Sequence, residues 1–194
     1  MTSGEKKRLL RAEVKERLSA FTDSQRADAS SAIAAALKSL GVFKAAESVF
    51  IYNSFGQEPY THGIIKDLLK QDKKVFLPII KPDGKMVAVR INAATVFQKN
   101  VYGIEEPLFG KNTEEADKSQ IDLAVIPLLA FDAALNRLGR GKGYYDRYLN
   151  ETNAVKIALA FSVQEIPSVP TDANDIGLDA VITEKEIFFG SQKR

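Results

Sequence analysis

The chain has 194 residues, 45% of them hydrophobic, and 27 Lys+Arg against 25 Asp+Glu give a formal net charge of +2. A chain of this size buries about 70% of its unfolded surface, so a core forms without staples, and with no cysteine there is no disulfide, no thiolate nucleophile and no cysteine-based zinc site. One histidine, His62, excludes a Ser-His-Asp triad unless that residue supplies it, and so small a net charge makes no nucleic-acid binder by bulk electrostatics. The sequence starts Met-Thr-Ser-Gly-Glu-Lys-Lys-Arg with no apolar run behind it, and no uncharged apolar stretch reaches the about 18 residues of a membrane span. The expectation is a cytoplasmic protein.

Residues 5–20 carry Leu10, Val14 and Leu18 four apart, and Lys7, Arg11 and Lys15 on the same spacing, which predicts an amphipathic helix. Three residues turn a helix by about 300°, so the cationic stripe lies only about 60° from the apolar one, at the edge of the buried face, where it can look into a cleft. Thr22-Asp23-Ser24-Gln25 reads as a capping box for a second helix, which runs through an alanine-rich stretch to Leu40 and stops at Gly41. Short apolar runs at 48–52, 75–77, 86–90, 123–126, 157–161 and Ala180–Ile182 then read as strands. Several are apolar at successive positions, as strands covered on both faces are, and helical stretches at 61–70 and Tyr144–Leu149 intervene. The pattern predicts an α/β fold with a mostly parallel sheet. Lys81-Pro82-Asp83-Gly84-Lys85 predicts a turn in an antiparallel excursion, and the polar segment 109–120 a mobile surface loop or short helix. No internal repeat or low-complexity linker divides the chain: residues 1–194 read as one domain, 1–41 a helical pair packed on the sheet and 42–194 the sheet with its helices.

The densest chemical signal is Arg137-Leu138-Gly139-Arg140-Gly141-Lys142-Gly143-Tyr144-Tyr145-Asp146. Glycines at alternate positions let backbone amides approach an anion without Cβ obstruction, and the interleaved cations supply charge. A helix starting near Gly143 would add its amino-terminal amides. Such a loop suits a polyphosphate, yet it is neither the P-loop nor the dinucleotide GxGxxG pattern. A flexible, solvated loop is the bland alternative.

This decapeptide resembles the signature of the 5-formyltetrahydrofolate cyclo-ligase family, also called methenyltetrahydrofolate synthetases. Other pieces match in the same order: Lys7-x-x-x-Arg11, Glu58 and Thr61, Tyr102-Gly103-Ile104-Glu105-Glu106-Pro107, Pro127 through Phe131-Asp132, and Asn174-Asp175 before Asp179 and Thr183-Glu184. Two departures are Pro59, where the family usually has an aliphatic residue, and Leu135-Asn136, where a glycine usually precedes the Arg-Leu-Gly turn. The resemblance implies a Rossmann-like open sheet of the NagB/RpiA/CoA-transferase-like group and an ATP- and Mg²⁺-dependent ring closure of 5-formyltetrahydrofolate to 5,10-methenyltetrahydrofolate. By the same resemblance Lys7, Arg11, Arg137, Gly139, Arg140, Gly141, Lys142, Gly143 and Tyr144 bind ATP, with Arg140, Lys142 and Tyr145 catalytic. Phe55, Glu58, Tyr102 and Tyr145 bind the folate, and Asp146 and Asp175 hold Mg²⁺, with Asp132 and Asp172 as rival ligands. His62 is read as a surface or capping residue. The implied partners are ATP and 5-formyltetrahydrofolate, with or without a polyglutamate tail, on a monomer that binds neither nucleic acid nor membrane. Apart from the resemblance, an α/β fold with an anion loop also admits a phosphosugar isomerase or a nucleotide or sugar-phosphate sensor.

Overall fold

A computed structural model of the protein describes residues 2–100, 103–110 and 113–190. The first helix, α1 (Ser3–Ser19), starts two residues before the predicted position because Thr2 caps it. Thr2 Oγ1 accepts the Glu5 amide while the Glu5 carboxylate accepts the Thr2 amide. The same reciprocal cap, worth about 1 kcal/mol, joins Thr22 and Gln25 at the head of α2 (Asp23–Ser39). Gly41 does not end α2 as a left-handed cap. The chain kinks at Leu40, which is extended (φ −66°, ψ 137°), and Gly41 opens a five-residue helix, α3 (Gly41–Ala45).

Next come β1 (Ser48–Ile51), α4 (His62–Lys70), β2 (Lys74–Ile80), β3 (Met86–Ile91), and a small ribbon of β4 (Phe97–Lys99) and β5 (Glu105–Pro107). After β6 (Leu123–Pro127) a hairpin of two two-residue strands, β7 (Ala130–Phe131) and β8 (Arg137–Leu138), leads to α5 (Tyr144–Leu149), β9 (Val155–Leu159), β10 (Ala180–Ile182) and β11 (Ile187–Phe189). The main sheet runs β11-β10-β9-β6-β1-β2-β3. Its middle five strands are parallel, and β3 and β11 close the edges antiparallel. This is the expected mostly parallel α/β sheet.

Alternation across the pleat explains the continuous apolar runs. Val49, Ile51, Leu123, Val125, Ile157 and Leu159 face a core shared with Val14 and Leu18 of α1, Ile33 and Leu37 of α2 and Ile64 and Leu68 of α4. Phe50, Ala124, Ile126, Ala158 and Val181 face a second core with Tyr148 and Leu149 of α5. Each fully buried large apolar side chain contributes roughly 1.5–3 kcal/mol.

Residues 114–116 are not a free loop. The Arg90 amide donates to the Glu114 carbonyl (2.9 Å) and the Ala116 amide to the Ala88 carbonyl (2.8 Å), so this polar segment covers the outer edge of β3. No helix among the described residues is long and apolar enough to cross a membrane.

Counted over the parallel strands alone, the order is 2-1-3-4-5, so the winding direction reverses between β1 and β6. Open parallel sheets leave a crevice at the carboxyl ends of the strands flanking such a reversal. Here those ends lead into Tyr52-Asn53-Ser54-Phe55 and Pro127-Leu128.

Candidate functional site

The glycine-rich loop is fastened to that crevice by two arginines. Arg137, at the start of β8, has a side chain only 4% exposed, and its guanidinium lies between the Pro127 carbonyl (3.4 Å), at the carboxyl end of β6, and the Asp146 carboxylate (2.5 Å) on α5. The ring of Tyr145 lies 5.8 Å beneath it. Arg11 reaches over from α1, its Nε donating to the Gly139 carbonyl at 2.9 Å. Gly141 (φ 101°) must be glycine twice over: its backbone is left-handed, and a Cβ there would meet the Arg11 guanidinium at 3.3 Å. Gly143 (φ 65°) precedes α5, and a Cβ on it would press 2.9 Å from Arg147 Nη1. The loop tip, Arg140 to Lys142, is exposed.

Across the crevice, the loop after β1 presents Glu58. Arg140 Nη2 donates to Glu58 Oε1 at 2.7 Å, and the Phe55 amide donates to Glu58 Oε2 at 2.9 Å. The carboxylate is only 11% exposed whereas the guanidinium is 59% exposed, so the cation closes the mouth and the anion lies inside. Burial pushes the Glu58 carboxyl above its ordinary range, opposed by Arg140 and the Phe55 amide. The Tyr145 phenol is also pushed up, first by burial and then by the charge of Glu58, which leaves a neutral hydroxyl suited to hydrogen bonding rather than to acting as a base. Phe55 lies exposed at the rim, within 4 Å of a Cβ built on Gly103, so the turn of the β4–β5 ribbon lines the same crevice. Tyr102 lies outside the described residues.

The loop after β1 is held by groups whose positioning role no local pattern announced. Thr61 is fully buried. Its Oγ1 donates to the Tyr52 carbonyl (2.7 Å) and accepts the Ser54 amide (3.0 Å), and the Tyr52 hydroxyl donates to the Pro59 carbonyl (2.8 Å). His62 opens α4 at the exposed surface with Nδ1 3.1 Å from Ser54 Oγ; Thr61 occupies the N-cap position and no side chain caps this helix, so the surface reading fits and the capping one does not.

The third component is α1 against the segment before β10. Lys7, 8% exposed, binds Asp172 (2.7 Å) and Asp175 (2.6 Å). Burial would lower the ammonium's pKa, but the two carboxylates outweigh it and hold Lys7 charged. Asp172 is correspondingly held below the usual carboxylate range, by Lys7 first and then by Ser3. Asp175 and Asp146 line one cavity of about 670 Å³ together with Gly143 and Arg147. Asp132, by contrast, is buried in the turn between β7 and β8. It accepts hydrogen bonds from the Ala134, Asn136 and Val169 amides and from Asn136 Nδ2, which makes it a brace and removes it from the metal candidates. That brace holds Leu135 at φ 63°, so this chain adopts a left-handed turn there without a glycine.

Thus four sequence-predicted cations are tied in around the loop, Arg140 to Glu58, Arg137 to Asp146, Arg11 to the Gly139 carbonyl and Lys7 to Asp172 and Asp175, while Lys142 extends from the loop without an ion pair to any described residue. Fold and site together define an α/β protein that sets a cationic glycine loop against a buried carboxylate at the sheet's reversal point. The model of the 5-formyltetrahydrofolate cyclo-ligase family matches residues 3–184, and the chain belongs to that family. The mouse 5-formyltetrahydrofolate cyclo-ligase is 35% identical over 95% of this chain and 96% of its own, and the Haemophilus influenzae enzyme of that name 29% identical over 90% and 95%. The NMR structure of Aquifex aeolicus 5,10-methenyltetrahydrofolate synthetase superposes with a TM-score of 0.85 at 30% identity, covering 97% of this chain and 94% of that one. A Mycoplasma pneumoniae 5,10-methenyltetrahydrofolate synthetase shares the fold at a TM-score of 0.73 and 22% identity, over 92% and 98% of the two chains. The isomerase and sensor alternatives draw no support from these relatives.

Proposed function

We propose that the protein closes 5-formyltetrahydrofolate to 5,10-methenyltetrahydrofolate, converting ATP to ADP and phosphate, as a cytoplasmic monomer. The observation that carries this reading is the 2.7 Å contact between Arg140 and Glu58. A phosphoryl group held by the loop cation is next to an organic substrate held by the carboxylate, as transfer between two ligands requires.

The formamide oxygen is a poor leaving group. Transfer of the γ-phosphoryl group of ATP to that oxygen breaks the bond to ADP and gives an iminium phosphate. The neighbouring anilinic nitrogen of the same substrate then attacks its carbon and loses a proton, and phosphate departs. The substrate brings its own nucleophile, so the protein's work is to align two anionic reactants and neutralise the migrating charge. That fits a chain with one histidine and no cysteine. Arg140 and Lys142 face the migrating group, the Gly139–Gly143 backbone cradles the other phosphates, Arg11 braces the loop, and Tyr144 and Tyr145 flank it. Glu58 accepts the amino and amide N–H groups of the pterin, with Phe55, Tyr145 and Tyr102 as its walls.

Among the described residues no group of three or more acidic or histidine side chains gathers at one point. Mg²⁺ needs no such cage, because it takes one or two carboxylates and completes its shell with phosphate oxygens and water. Asp146 and Asp175, which line the same cavity beside the loop, fit that donor set, and the ion would screen the phosphate charge. The folate is taken with or without a polyglutamate tail.

Purified protein mixed with 5-formyltetrahydrofolate, ATP and Mg²⁺ is expected to generate the absorbance of the methenyl product, and omission of any one component to abolish it. Failure of the complete mixture would remove the reading. Glu58→Gln is expected to weaken folate binding about 10- to 100-fold through lost charge-assisted hydrogen bonds, without lowering stability at pH 7. The sign follows from the raised carboxyl: its stabilising contribution belongs to the protonated form, is present below the unfolded pKa and is lost as pH rises through the folded one. Folate affinity should likewise fall on acidification at a higher pH than an ordinary glutamate would give. Isothermal titration against pH checks both, and an unaltered affinity in Glu58→Gln counts against the pterin assignment.

A further inference from the structure

Glu58 stands on a loop, yet the use proposed for it needs the precision of a sheet. A carboxylate that accepts two parallel hydrogen bonds from a flat substrate edge must be held to within about 0.5 Å and 10–20°. The contacts of Glu58 itself do not supply that reference. The Phe55 amide (2.9 Å to Oε2) and the Phe55 carbonyl (3.4 Å from the Glu58 amide) belong to the same loop, and Arg140 comes from another loop with its side chain 59% exposed. Tyr52, the residue after β1, supplies it. Its amide donates to the Val125 carbonyl of β6 (3.3 Å), its ring, 2% exposed, lies in the first core, and its hydroxyl donates to the Pro59 carbonyl (2.8 Å), one residue past Glu58. The geometry points to Tyr52 as a positioning residue for the folate: its hydroxyl, through the Pro59 carbonyl, sets the Glu58 carboxylate relative to the sheet without itself touching the substrate.

This inference rests on the proposed pterin role of Glu58. Pro59 makes the link short and stiff. Its ring fixes its own φ and disfavours the helical region for the residue before it, so the Glu58 backbone keeps little freedom once the Pro59 carbonyl is held. Proline has no amide hydrogen, so that carbonyl is the one backbone group by which residue 59 can be hydrogen-bonded. The phenol is a dependable donor: burial first, and then the charge of Glu58, push it far above its ordinary range, so the proton stays at any working pH. The neighbouring bonds serve later residues. The Tyr60 amide donates to the buried Ser30 Oγ of α2 (3.0 Å) and the Thr61 amide to Ser54 Oγ (3.1 Å), while Thr61 Oγ1 braces the Tyr52 carbonyl.

Tyr52→Phe keeps the ring in the core and deletes only the hydroxyl. Calorimetry is expected to show 5-formyltetrahydrofolate bound about tenfold more weakly and ADP as tightly as by the unaltered protein. In initial rates the folate KM should rise by the same factor while kcat and the ATP KM stay within about twofold, the pattern of lost substrate binding rather than of a damaged fold. In a Glu58→Ala background the same substitution should change folate affinity by less than about twofold, because the carboxylate it positions is gone. Pro59→Ala loosens the link from its other end with the hydroxyl bond retained, and a loss of about threefold, again confined to the folate, is expected. Unaltered folate affinity in both Tyr52→Phe and Pro59→Ala would overturn the inference. So would equal losses for folate and ADP, or a tenfold effect of Tyr52→Phe that persists without Glu58, either of which would make Tyr52 a support of the fold alone. Normal folate affinity in Glu58→Ala itself would instead bring down the pterin reading on which the inference stands.

Discussion

Replacing Arg140 with alanine is expected to lower turnover about 1,000-fold, roughly 4 kcal/mol of transition-state stabilisation, while the fold survives. The guanidinium is 59% exposed at the mouth of the crevice, and its pair with Glu58 is half in solvent, so its removal costs at most about 1 kcal/mol of stability. Its loss is felt in the reaction because it is the cation nearest the point where the two ligands meet. Arg140→Lys restores the charge but not the planar fork, so an intermediate rate is expected. Arg140 also holds the Glu58 carboxyl down, so in Arg140→Ala that carboxyl protonates at a higher pH and the acid limb of the pH–rate profile moves upward. Lys142→Ala should cost about 100-fold, chiefly in the ATP dependence. Initial rates of methenyl product formation against ATP, with thermal midpoints alongside, check the set. Near-normal ATP kinetics in both alanine variants would show that the loop does not hold the triphosphate.

Arg137→Ala is expected to act on the fold instead, lowering unfolding free energy by about 3–5 kcal/mol, the range for stripping one partner from a buried ion pair. With its side chain 4% exposed, Arg137 is positioned to support the loop rather than to reach a ligand itself. It joins the end of β6 to α5 through Pro127 and Asp146, and its removal leaves the Asp146 carboxylate without its cation. Urea unfolding measures this directly, and a loss under about 1 kcal/mol would mean that the loop is held by other contacts. Asp146→Asn separates the two roles of that residue. The amide still accepts from Arg137, so stability changes little, but it is a poorer ligand for a hard cation, and half-maximal activity should require at least about tenfold more Mg²⁺. An unshifted Mg²⁺ titration would leave Asp146 as a partner of Arg137 alone.

The amphipathic stripe of α1 was readable because Val14 and Leu18 repeat at the helical period, and both are in the core. The same argument placed Lys7 and Arg11 at the edge of that face, where each now touches the site. Short continuous apolar runs made six of the seven main-sheet strands legible, down to Ala180–Ile182. They missed β11 and the β4–β5 ribbon, and also β7 and β8, because a two-residue strand makes no run, although β8 is the first two residues of the decapeptide. The glycine at 41 misled because a left-handed stop and a kink into a further helix use the same residue, and only the packing of Phe43 into the first core separates them. The edge-covering segment 114–116 looked like a free polar loop because backbone pairing to β3 leaves no mark on side-chain character.

What the chain determined by itself is whatever depends on near neighbours: the helix caps, the pleat alternation, the α/β class, and a loop whose glycines and cations suit a polyphosphate. What only the tertiary structure decided is which charges meet. Glu58 and Arg140 stand 82 residues apart, and Lys7 stands 165 and 168 residues from its two carboxylates, so no local period links them. Asp132, a rival to Asp146 and Asp175 as a metal ligand on sequence alone, is a brace because its buried oxygens accept from backbone amides. Electrostatic partnership depends on distance in space and on exposure to water, and both are set when the parallel strands close into one sheet and bring the ends of β1 and β6 together.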